Sequence, residues 1–567
     1  MILDRYLSQK KLQQTLSPQE FENLEFVLEH FMPSDKKLDR SIYHNDYLLG
    51  QIHFSKYMGN YLSKHFRQEL YDRSKDLISD IWLKYFASCG KKNISNLSSS
   101  KTDEIVKKFV TFDWDDNSET KNFIKFFNYP TYMIPDGKKD LETKMTIYGE
   151  QADFIPFKTL LDYQSVIVHK ALKELKHENS RRLIQMPTGT GKTRVAMEII
   201  ARILNNTPDI QILWFANKSE LLGQAHQTFQ HVWNHLGKFP VDAIVAWGKD
   251  KIPKIPESRV IVFAGYKKMN NFINSNTSLK PDYIVIDEAH QILAKTYKLA
   301  LEELVNRKFG RVLGLTATPG RGIDETQNKK LAKIFHGKII EIKLYGDDEI
   351  NYEKNIIKYL EFEDILAKAI LDPMYTKDQY PLSKTELSGL RKLIQGDRPE
   401  LTDDSLEKLA NDNTRNIQII DKLHKLASDG KKILYFATSK SQSLLVFMAL
   451  QQLEINAIHV DSDTDHSFRR QIVRKFIETN EIQIICNYDI FSTGFDVPKL
   501  DVVFIGRPVM SPVLYNQMVG RGTRGLAMDG KKSFTLIQVI DKFNLTSAKF
   551  DPYEHYRYWD ETWRNNN

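Results

Sequence analysis

The chain has 567 residues, of which 41% are hydrophobic and 27% are charged, and 80 basic against 73 acidic side chains give a formal charge of +7. This length predicts three or four domains with large cores, in a protein of ordinary globular composition. No apolar run approaches the roughly 18 residues of a membrane helix, and the first five residues lack the charge-then-apolar order of a signal peptide. We therefore expect a cytoplasmic protein with no membrane partner. Two cysteines, Cys89 and Cys486, exclude a disulfide framework and a four-ligand zinc site.

Residues 1–150 are predicted to form a mainly helical accessory domain. The run from Ser17 to Glu20 is a capping box with proline at the first helical position. Apolar side chains then recur at helical spacing, at Phe21, Leu24, Leu28 and Phe31. A second helical region is expected from about residue 47 to residue 86. If the chain has protein subunits as partners, this domain is the expected contact.

The charge is unevenly distributed along the chain. Residues 1–150 hold 22 basic and 22 acidic side chains, so the whole basic surplus lies in the remainder. That distribution suits contact with a polyanion, although a solvated surface explains so small an excess equally well.

A small charged cluster lies near the end of this N-terminal part. Asp136, Glu142 and Lys144 resemble the carboxylate and Glu-x-Lys elements of metal-dependent nucleases. Their spacing is short and no strand hairpin surrounds them, so we favour a surface charge cluster without nuclease activity.

One stretch, residues 182–204, predicts a strand, a glycine-rich turn and a helix. The turn is Pro187–Thr193, and apolar residues recur at helical spacing behind it. Glycines let the backbone N–H groups and the helix dipole face an anion, Lys192 neutralises outer phosphates, and the Thr193 hydroxyl can bind Mg²⁺. Met186 stands where the strict pattern has glycine, and a plain strand-to-helix turn is the alternative. We predict a site for a nucleoside triphosphate.

From about residue 151, short apolar strands alternate with amphipathic helices, which predicts a parallel α/β sheet. Further strands are expected at Ile212–Ala216, Val260–Ala264, Tyr283–Ile286 and Val312–Leu315. In such sheets ligands bind at the carboxyl ends of the strands. The residues that follow the strands are therefore candidates, namely Asn217-Lys218, Gly265-Tyr266, Asp287-Glu288-Ala289-His290 and Thr316-Ala317-Thr318.

Two carboxylates of this set, Asp287 and Glu288, follow a buried strand downstream of the glycine turn. Asp287 can hold Mg²⁺ through water, and Glu288 can orient and deprotonate the water that attacks a γ-phosphate. An Asp-Glu pair is common in sequences, but this position favours the catalytic interpretation over a structural one.

A second α/β lobe is predicted after a charged, helix-like connector at about residues 325–415, which includes Ile365–Ile370 and Leu387–Ile394. Strands resume at Ile433–Phe436, Ala457–Val460, Ile482–Cys486, Val502–Ile505 and Phe534–Val539. This lobe has no glycine turn, but Arg521 and Arg524 lie one turn apart. They can act on a γ-phosphate as arginine fingers, or they can simply form a basic helix end.

The order of these blocks resembles the superfamily 2 helicases and translocases of the DEAH type, in particular the motors of type I and type III restriction enzymes and related DNA repair helicases. The resemblance covers about residues 155–540. Eight blocks carry it: Leu160–Gln164, Met186–Thr193, Phe215–Ala225, Asp287–His290, Gly314–Pro319, Leu434–Lys440, Ser492–Pro498 and Gln517–Arg524. Two positions depart from the family, since Met186 replaces a small residue and Thr493 stands where an acidic residue is frequent.

The resemblance implies an α/β fold with two RecA-like parallel-sheet lobes of the P-loop NTPase type and a mainly helical N-terminal accessory domain. ATP and Mg²⁺ are expected in the cleft, and a nucleic-acid strand across both lobes. The predicted domains are 1–150 (helical accessory domain), 151–345 (first, ATP-binding lobe), 346–415 (helical connector) and 416–567 (second lobe with C-terminal tail).

The implied site residues fall into four groups. The catalytic group is Lys192, Asp287, Glu288, His290, Gln517, Arg521 and Arg524. The nucleotide-binding group is Gln164, in the block that contacts adenine, with Thr188, Gly189, Thr190, Gly191, Lys192, Thr193, Gly494 and Asp496. The Mg²⁺ ligands are Thr193 and Asp287. The residues in blocks that contact the nucleic-acid backbone are Asn217, Lys218, Thr438, Ser439 and Thr493.

Three functions remain open at this point. The leading hypothesis is an ATP-dependent DNA translocase or helicase of a restriction, defence or repair system. The same core could act on RNA, because it binds the nucleic-acid backbone. The sequence does not show whether it distinguishes the 2′-hydroxyl of RNA from the 2′-hydrogen of DNA. A nucleotide-controlled clamp that binds nucleic acid or a partner without unwinding is the third hypothesis. The aromatic tail at residues 550–563 predicts packing against the second lobe or a partner rather than base stacking.

Overall fold

The computed structural model describes residues 3–8, 10–11, 14–31, 50, 53–54, 56–57, 59, 61, 63–90, 99–135, 144–149, 159–247, 254–274, 279–308, 310–320, 325–343, 356–380, 401, 403–491, 497, 499–509 and 511–543. These residues include two β-sheets, each surrounded by helices, and a set of N-terminal helices. The fold is mixed α/β with two RecA-like parallel-sheet lobes.

The N-terminal part of the described chain is helical. The N–H of Ser17 donates to Glu20 Oε2 at 2.7 Å and the N–H of Glu20 donates to Ser17 Oγ at 3.3 Å, which confirms the capping box. The second predicted helical region is interrupted after Ser74, because a turn separates two helices and leaves Leu77 71% exposed. The helices are α1 (Pro18–Phe31), α2 (Lys64–Ser74), α3 (Ser79–Gly90), α4 (Ser99–Thr111) and α5 (Ser118–Phe127).

Eight strands form the first sheet: β1 (Lys144–Ile147), β2 (Arg181–Gln185), β3 (Gln211–Ala216), β4 (Val241–Ala246), β5 (Val260–Gly265), β6 (Tyr283–Ile286), β7 (Arg311–Thr316) and β8 (Ile339–Glu341). Their order is β1-β4-β5-β3-β6-β7-β2-β8, and neighbours run parallel except β1 with β4. The helices of this lobe are α6 (Asp162–Glu174), α7 (Lys192–Asn206), α8 (Ser219–Leu236), α9 (Met269–Asn274), α10 (Lys295–Asn306) and α11 (Glu325–Ile334).

The four strands predicted downstream of the glycine turn are present, each within one residue of its expected ends. Strands β1, β4 and β8 were not predicted, and β1 lies within the part that was expected to be helical. Because β6, β7 and β2 are neighbours in the sheet, their carboxyl ends meet at one edge. This arrangement brings the glycine turn and the two carboxylates together.

The second lobe follows α12 (Ile356–Phe362), and its strands are β9 (Lys368–Leu371), β10 (Met374–Tyr380), β11 (Ile433–Phe436), β12 (Ala457–Val460), β13 (Ile484–Asn487), β14 (Val502–Ile505) and β15 (Ser533–Phe543). The order is β10-β15-β14-β11-β13-β12, β9 also pairs with β15, and all pairs are parallel. The helices are α13 (Asp403–Ala410), α14 (Asn413–Ser428), α15 (Lys440–Gln452), α16 (His466–Glu478) and α17 (Pro512–Val519).

The predicted helix at Ile365–Ile370 is wrong. This segment leads into β9, whose residues pair in register with residues 533–536 of β15. The pairing partner lies more than 150 residues away, so a local pattern cannot reveal it. Leu387–Ile394, the other segment that was expected to be helical, lies outside the described residues.

Among the described residues, the N-terminal helices pack on the second lobe. Leu24, Val27 and Leu28 of α1 share a buried core with strands β11 and β13. The aromatic residues of α2–α5 form a second cluster, which is continuous with Phe468 and Ile472 of α16. The two ends of the described chain therefore form one packed unit.

His226 of α8 lies in the core of the first lobe. It is 1% exposed, its ring packs against Phe263 with the centroids 5.4 Å apart, and neither ring nitrogen has a hydrogen-bond partner among the described residues. Burial lowers the pKa of His226 to about 4. The folded chain therefore holds this imidazole neutral.

We expect His226 to make the first lobe less stable in mild acid. The pKa of His226 in the folded chain lies below the unfolded value of about 6.5. Its contribution to the free energy of unfolding is therefore fully present above pH 6.5 and is lost as the pH falls towards 4. Between pH 7 and pH 5 the wild-type chain should lose about 2 kcal/mol more unfolding free energy than His226→Leu. Urea denaturation followed by tryptophan fluorescence measures this difference. His231→Leu, on the exposed side of the same helix, is the control. An equal loss of unfolding free energy in the wild-type and His226→Leu chains would contradict the lowered pKa of His226.

No helix in the described part of the chain is long and apolar enough to cross a membrane. The same residues contain no group of three or more His, Cys, Asp or Glu that could hold a metal ion. Of the nuclease-like cluster, Asp136 and Glu142 lie outside the described residues, and Lys144 Nζ pairs with Asp242 Oδ2 at 3.2 Å.

Candidate active site between the two lobes

The turn after β2 has the backbone geometry of a phosphate-binding loop. Gly189 and Gly191 have φ values of 87° and 84°, in the left-handed region, and a Cβ at Gly191 would lie 2.7 Å from Gln164 Nε2. The backbone conformation at both positions therefore favours glycine. Lys192 begins α7, so the free N–H groups of the helix terminus face the loop. Met186, which replaces the glycine of the strict pattern, is fully buried in the core.

The ammonium of Lys192 lies among oxygen atoms and charged side chains. Nζ donates to two loop carbonyl oxygens, at 3.2 Å and 3.4 Å. Burial lowers the pKa of Lys192, Glu288 and Asp287 raise it, and Arg521 lowers it. Residues of both lobes thus lie within electrostatic reach of this lysine.

Gln164 and its neighbour Tyr163 hold the loop from helix α6. Gln164 Nε2 donates to Thr190 O at 3.0 Å, and Gln164 Oε1 accepts the N–H of Leu161 at 3.0 Å. The hydroxyl of Tyr163 donates to the same carbonyl of Thr190 at 2.7 Å, and Thr190 Oγ1 donates to Pro187 O at 2.7 Å. Gln164 is 3% exposed and supports the loop. Its contact with adenine stays a prediction.

The carboxylates of Asp287 and Glu288 follow β6, one strand away from β7 and two from β2. Glu288 has a φ of 49°, so the chain turns sharply out of the strand. Burial and the neighbouring Glu288 raise the pKa of Asp287, whereas Lys192 lowers it. Two acidic side chains so close together are stabilised by a divalent cation, and the set fits Mg²⁺. Thr193, the other predicted ligand, lies in the first turn of α7.

His290 connects the carboxylate turn with the end of β7. Its Nδ1 lies 3.3 Å from Thr316 Oγ1 and 3.5 Å from Glu288 Oε2. The hydroxyl of Thr316 donates to Thr318 O at 2.7 Å, which leaves its oxygen to accept from His290. The carboxylate turn and the end of β7 are therefore joined at this sheet edge.

The second lobe contacts the phosphate-binding loop through the segment after α17. Thr523 Oγ1 donates to Thr188 O at 3.1 Å. A Cβ at Gly520 would lie 2.6 Å from Thr188 Cβ, and a Cβ at Gly191 would lie 3.3 Å from Met528 Cε. Both lobes therefore build the walls of the same cleft.

The two predicted arginine fingers differ in position. Arg521 follows α17, and its Nε donates to Gln517 O at 3.2 Å. It is the arginine that acts electrostatically on Lys192. Arg524 forms an antiparallel β-bridge with Leu366, so its backbone belongs to the sheet side of the second lobe. Arg521 is therefore the stronger candidate for an arginine finger, and the role of each arginine stays a prediction.

Two family models match the chain, one in each lobe. The model described as "Type III restriction enzyme, res subunit" matches residues 157–321, and the helicase conserved C-terminal domain matches residues 415–525. The chain is therefore similar to restriction-enzyme motors in its first lobe and to helicases in its second.

Individual relatives match the chain at low identity. IRC3 of Saccharomyces cerevisiae is 26% identical over 386 residues, which cover 64% of this chain and 49% of IRC3. The type I restriction enzyme EcoKI endonuclease subunit of Escherichia coli is 24% identical over 413 residues, 67% of this chain and 34% of that subunit. The chain thus spans about half or less of the length of these relatives. Among solved structures, the helicase domain of Pyrococcus furiosus Hef has a TM-score of 0.40 at 18% identity and covers 67% of this chain and 95% of that domain.

The prediction that Thr438 contacts nucleic acid needs correction. Its side chain is fully buried, its hydroxyl donates to Gly506 O at 3.2 Å, and its N–H donates to Gln442 Oε1 at 2.7 Å. The buried ion pair of Arg415 and Asp541 lies beside it. Thr438 therefore connects elements inside the second lobe and does not face a bound strand.

The other predicted backbone contacts have different positions. Ser439 Oγ accepts the N–H of Gln442 at 3.1 Å and caps α15, and Asn217 is partly buried at the end of β3. Lys218 Nζ donates across the cleft to Ile490 O at 3.3 Å. The roles of Ser439, Asn217 and Lys218 in nucleic-acid binding stay predictions.

Thr493, Gly494 and Asp496 lie outside the described residues, as does the aromatic tail at residues 550–563. Their predicted roles in nucleotide and nucleic-acid binding therefore stay predictions.

Three contacts at the site were not predicted. Thr523 contacts the phosphate-binding loop, as described above. Arg469 pairs with Glu220 across the cleft at 3.5 Å. The hydroxyl of Tyr266 donates to Asp287 O at 2.6 Å. Tyr266 follows a buried strand, and Thr523 and Glu220 lie within blocks of the resemblance, whereas Arg469 carried no sequence signal.

Proposed function

We propose that this chain is a nucleic-acid-dependent ATPase that translocates along or unwinds DNA, in a restriction, defence or repair system. The observation that carries the proposal is the grouping of Lys192, Asp287, Glu288 and Arg521, from both lobes, around one phosphate-binding loop. A strand-to-helix turn that binds no ligand would not require these charged side chains to lie together.

Each group has a defined task in this proposal. The backbone N–H groups of the loop and Lys192 bind the phosphates of ATP. Asp287 and Thr193 would hold Mg²⁺, which neutralises phosphate charge when it is bound. Glu288 orients the attacking water and accepts its proton. Arg521 stabilises the charge that develops on the γ-phosphate. The residues that bind the phosphates are Thr188, Gly189, Thr190, Gly191, Lys192 and Thr193.

The lobes give a physical route for coupling hydrolysis to nucleic acid. Arg521 can act on the γ-phosphate only while the second lobe lies against the loop, as it does through Thr523 and Gly520. A strand bound across both lobes favours this closed arrangement, because it contacts both at once. ATP turnover then depends on the strand.

The relatives support DNA over RNA. They include a type I restriction endonuclease subunit and the protein named DNA 3'-5' translocase XPB2 of Sulfurisphaera tokodaii, which is 24% identical over 71% of this chain and 87% of its own length. Residues 1–150 are proposed as an accessory domain without nuclease activity. Since α1–α5 pack on the second lobe, a protein subunit would bind their outer surface.

We expect ATP hydrolysis by the purified chain to be low alone and to rise with DNA. Phosphate release is measured side by side with single-stranded DNA, double-stranded DNA and RNA, at equal nucleotide concentration. Stronger stimulation by DNA supports the proposal, and stronger stimulation by RNA would contradict the DNA assignment. Turnover that no polynucleotide stimulates would favour a nucleotide-controlled clamp. Gels of the same DNA samples test for Mg²⁺- or Mn²⁺-dependent cleavage, which would contradict the absence of a nuclease.

A further inference from the structure

The catalytic turn of the first lobe has an unfavourable backbone conformation. Glu288 has φ 49° and ψ 55°, a left-handed conformation that residues with a Cβ rarely adopt. The turn begins directly after the buried strand β6, and a short 3₁₀ segment, Ala289–Leu293, follows it. Such a conformation persists only where surrounding groups hold it.

One buried hydroxyl lies against the backbone of this turn. Tyr266 Oη donates to Asp287 O at 2.6 Å and lies 3.5 Å from Glu288 O. Tyr266 is 3% exposed and directly follows β5, which is separated from β6 by β3. The side chain therefore spans the end of one strand to reach the carbonyl groups of both catalytic residues.

The direction of this hydrogen bond follows from its two partners. A carbonyl oxygen can only accept, so the phenol hydroxyl of Tyr266 is the donor to Asp287 O.

We infer that Tyr266 is a positioning residue for ATP hydrolysis, whose hydroxyl fixes the Asp287–Glu288 turn so that both carboxylates point into the cleft. This inference rests on the proposed function. Tyr266 touches the backbone of the turn, and no hydrogen bond from its hydroxyl to the phosphate-binding loop is found among the described residues. Its effect is therefore on the orientation of Glu288, which governs the chemical step, and not on the loop that binds the phosphates.

Replacing Tyr266 by Phe tests the inference, because it removes one oxygen and keeps the ring. We expect kcat for DNA-stimulated ATP hydrolysis to fall about ten- to hundredfold, since small displacements of a catalytic group are costly. The KM for ATP, and the affinity for a fluorescent ATP analogue, should stay within about twofold, because the phosphate-binding loop is unchanged.

Tyr297→Phe is the matched control. The ring of Tyr297 packs against that of Tyr266, with the centroids 5.3 Å apart, and no hydrogen bond from its hydroxyl to the turn is found among the described residues. Its kcat should stay within about twofold of wild type.

The possible outcomes separate the inference from the proposed function. A fall in kcat without a change in ATP affinity or melting temperature, in Tyr266→Phe alone, supports the positioning role. An unchanged kcat, or equal losses of kcat, ATP affinity and melting temperature, would overturn it. A wild-type chain without turnover would contradict the proposed function itself, and with it the inference.

Discussion

A Glu288→Gln chain is expected to bind ATP with near wild-type affinity and to hydrolyse it about 10²–10⁴-fold more slowly. The substitution keeps the size and the backbone of the residue but removes the carboxylate that accepts a proton from water. ATP binding depends on the loop after β2, which does not include Glu288. Binding of a fluorescent ATP analogue and phosphate release measure the two effects separately.

Lys192→Ala, in contrast, is expected to lose ATP affinity as well as turnover. Its ammonium is the positive group that faces both Asp287 and Glu288 at the loop. Without it, the phosphates of ATP meet two acidic side chains and lose a charge-assisted donor, so affinity should fall at least about tenfold and turnover should disappear. Glu303→Gln, on an exposed face of α10, is the control for both variants. Equal ATP affinity in the wild-type and Lys192→Ala chains would count against the phosphate-binding loop.

Sequence reasoning succeeded where a feature depends on neighbouring residues. The capping box from Ser17 to Glu20 and strands such as Tyr283–Ile286 and Ile433–Phe436 follow from short patterns. The glycine turn is equally local, since Gly189 and Gly191 have the backbone conformation that only glycine adopts at low cost. The two-lobe architecture followed from the order of these blocks.

Prediction from the sequence failed where a feature depends on residues that are far apart in the chain. Strand β9 exists because β15 pairs with it, and one face of α1 is buried because the second lobe covers it. Thr438 was assigned to nucleic acid from its block, but the pairing of Arg415 with Asp541 and the carbonyl of Gly506 surround it. No single segment contains that information.

The predicted arginine fingers show the same limit. From the sequence, Arg521 and Arg524 are equally good candidates for an arginine finger, because they lie one helical turn apart in the same block. The structure makes Arg521 the stronger candidate, because its charge lowers the pKa of Lys192, whereas the backbone of Arg524 bridges to Leu366. The distinction depends on how the second lobe meets the first.

Arg521→Ala is therefore expected to have the largest effect on the chemical step. Arg521 lies more than 300 residues after Lys192, so it reaches the nucleotide only because the lobes meet. Loss of an arginine finger costs about 10³–10⁵ in rate in other phosphoryl-transfer systems. ATP binding should remain nearly normal, because the phosphate-binding loop belongs to the first lobe. Arg524→Ala is also expected to reduce turnover, but by less.

The claim that both lobes form the ATP site is tested most directly by DNA-stimulated phosphate release by Arg521→Ala. ATP affinity is determined on the same preparation. Wild type, Arg524→Ala and Lys532→Ala, a substitution at an exposed cation of the second lobe, are measured in parallel. A two-lobe ATP site predicts near wild-type affinity and a loss of turnover of at least about 10³-fold in Arg521→Ala. Near wild-type stimulated turnover in both Arg521→Ala and Arg524→Ala would show that the second lobe does not complete the site.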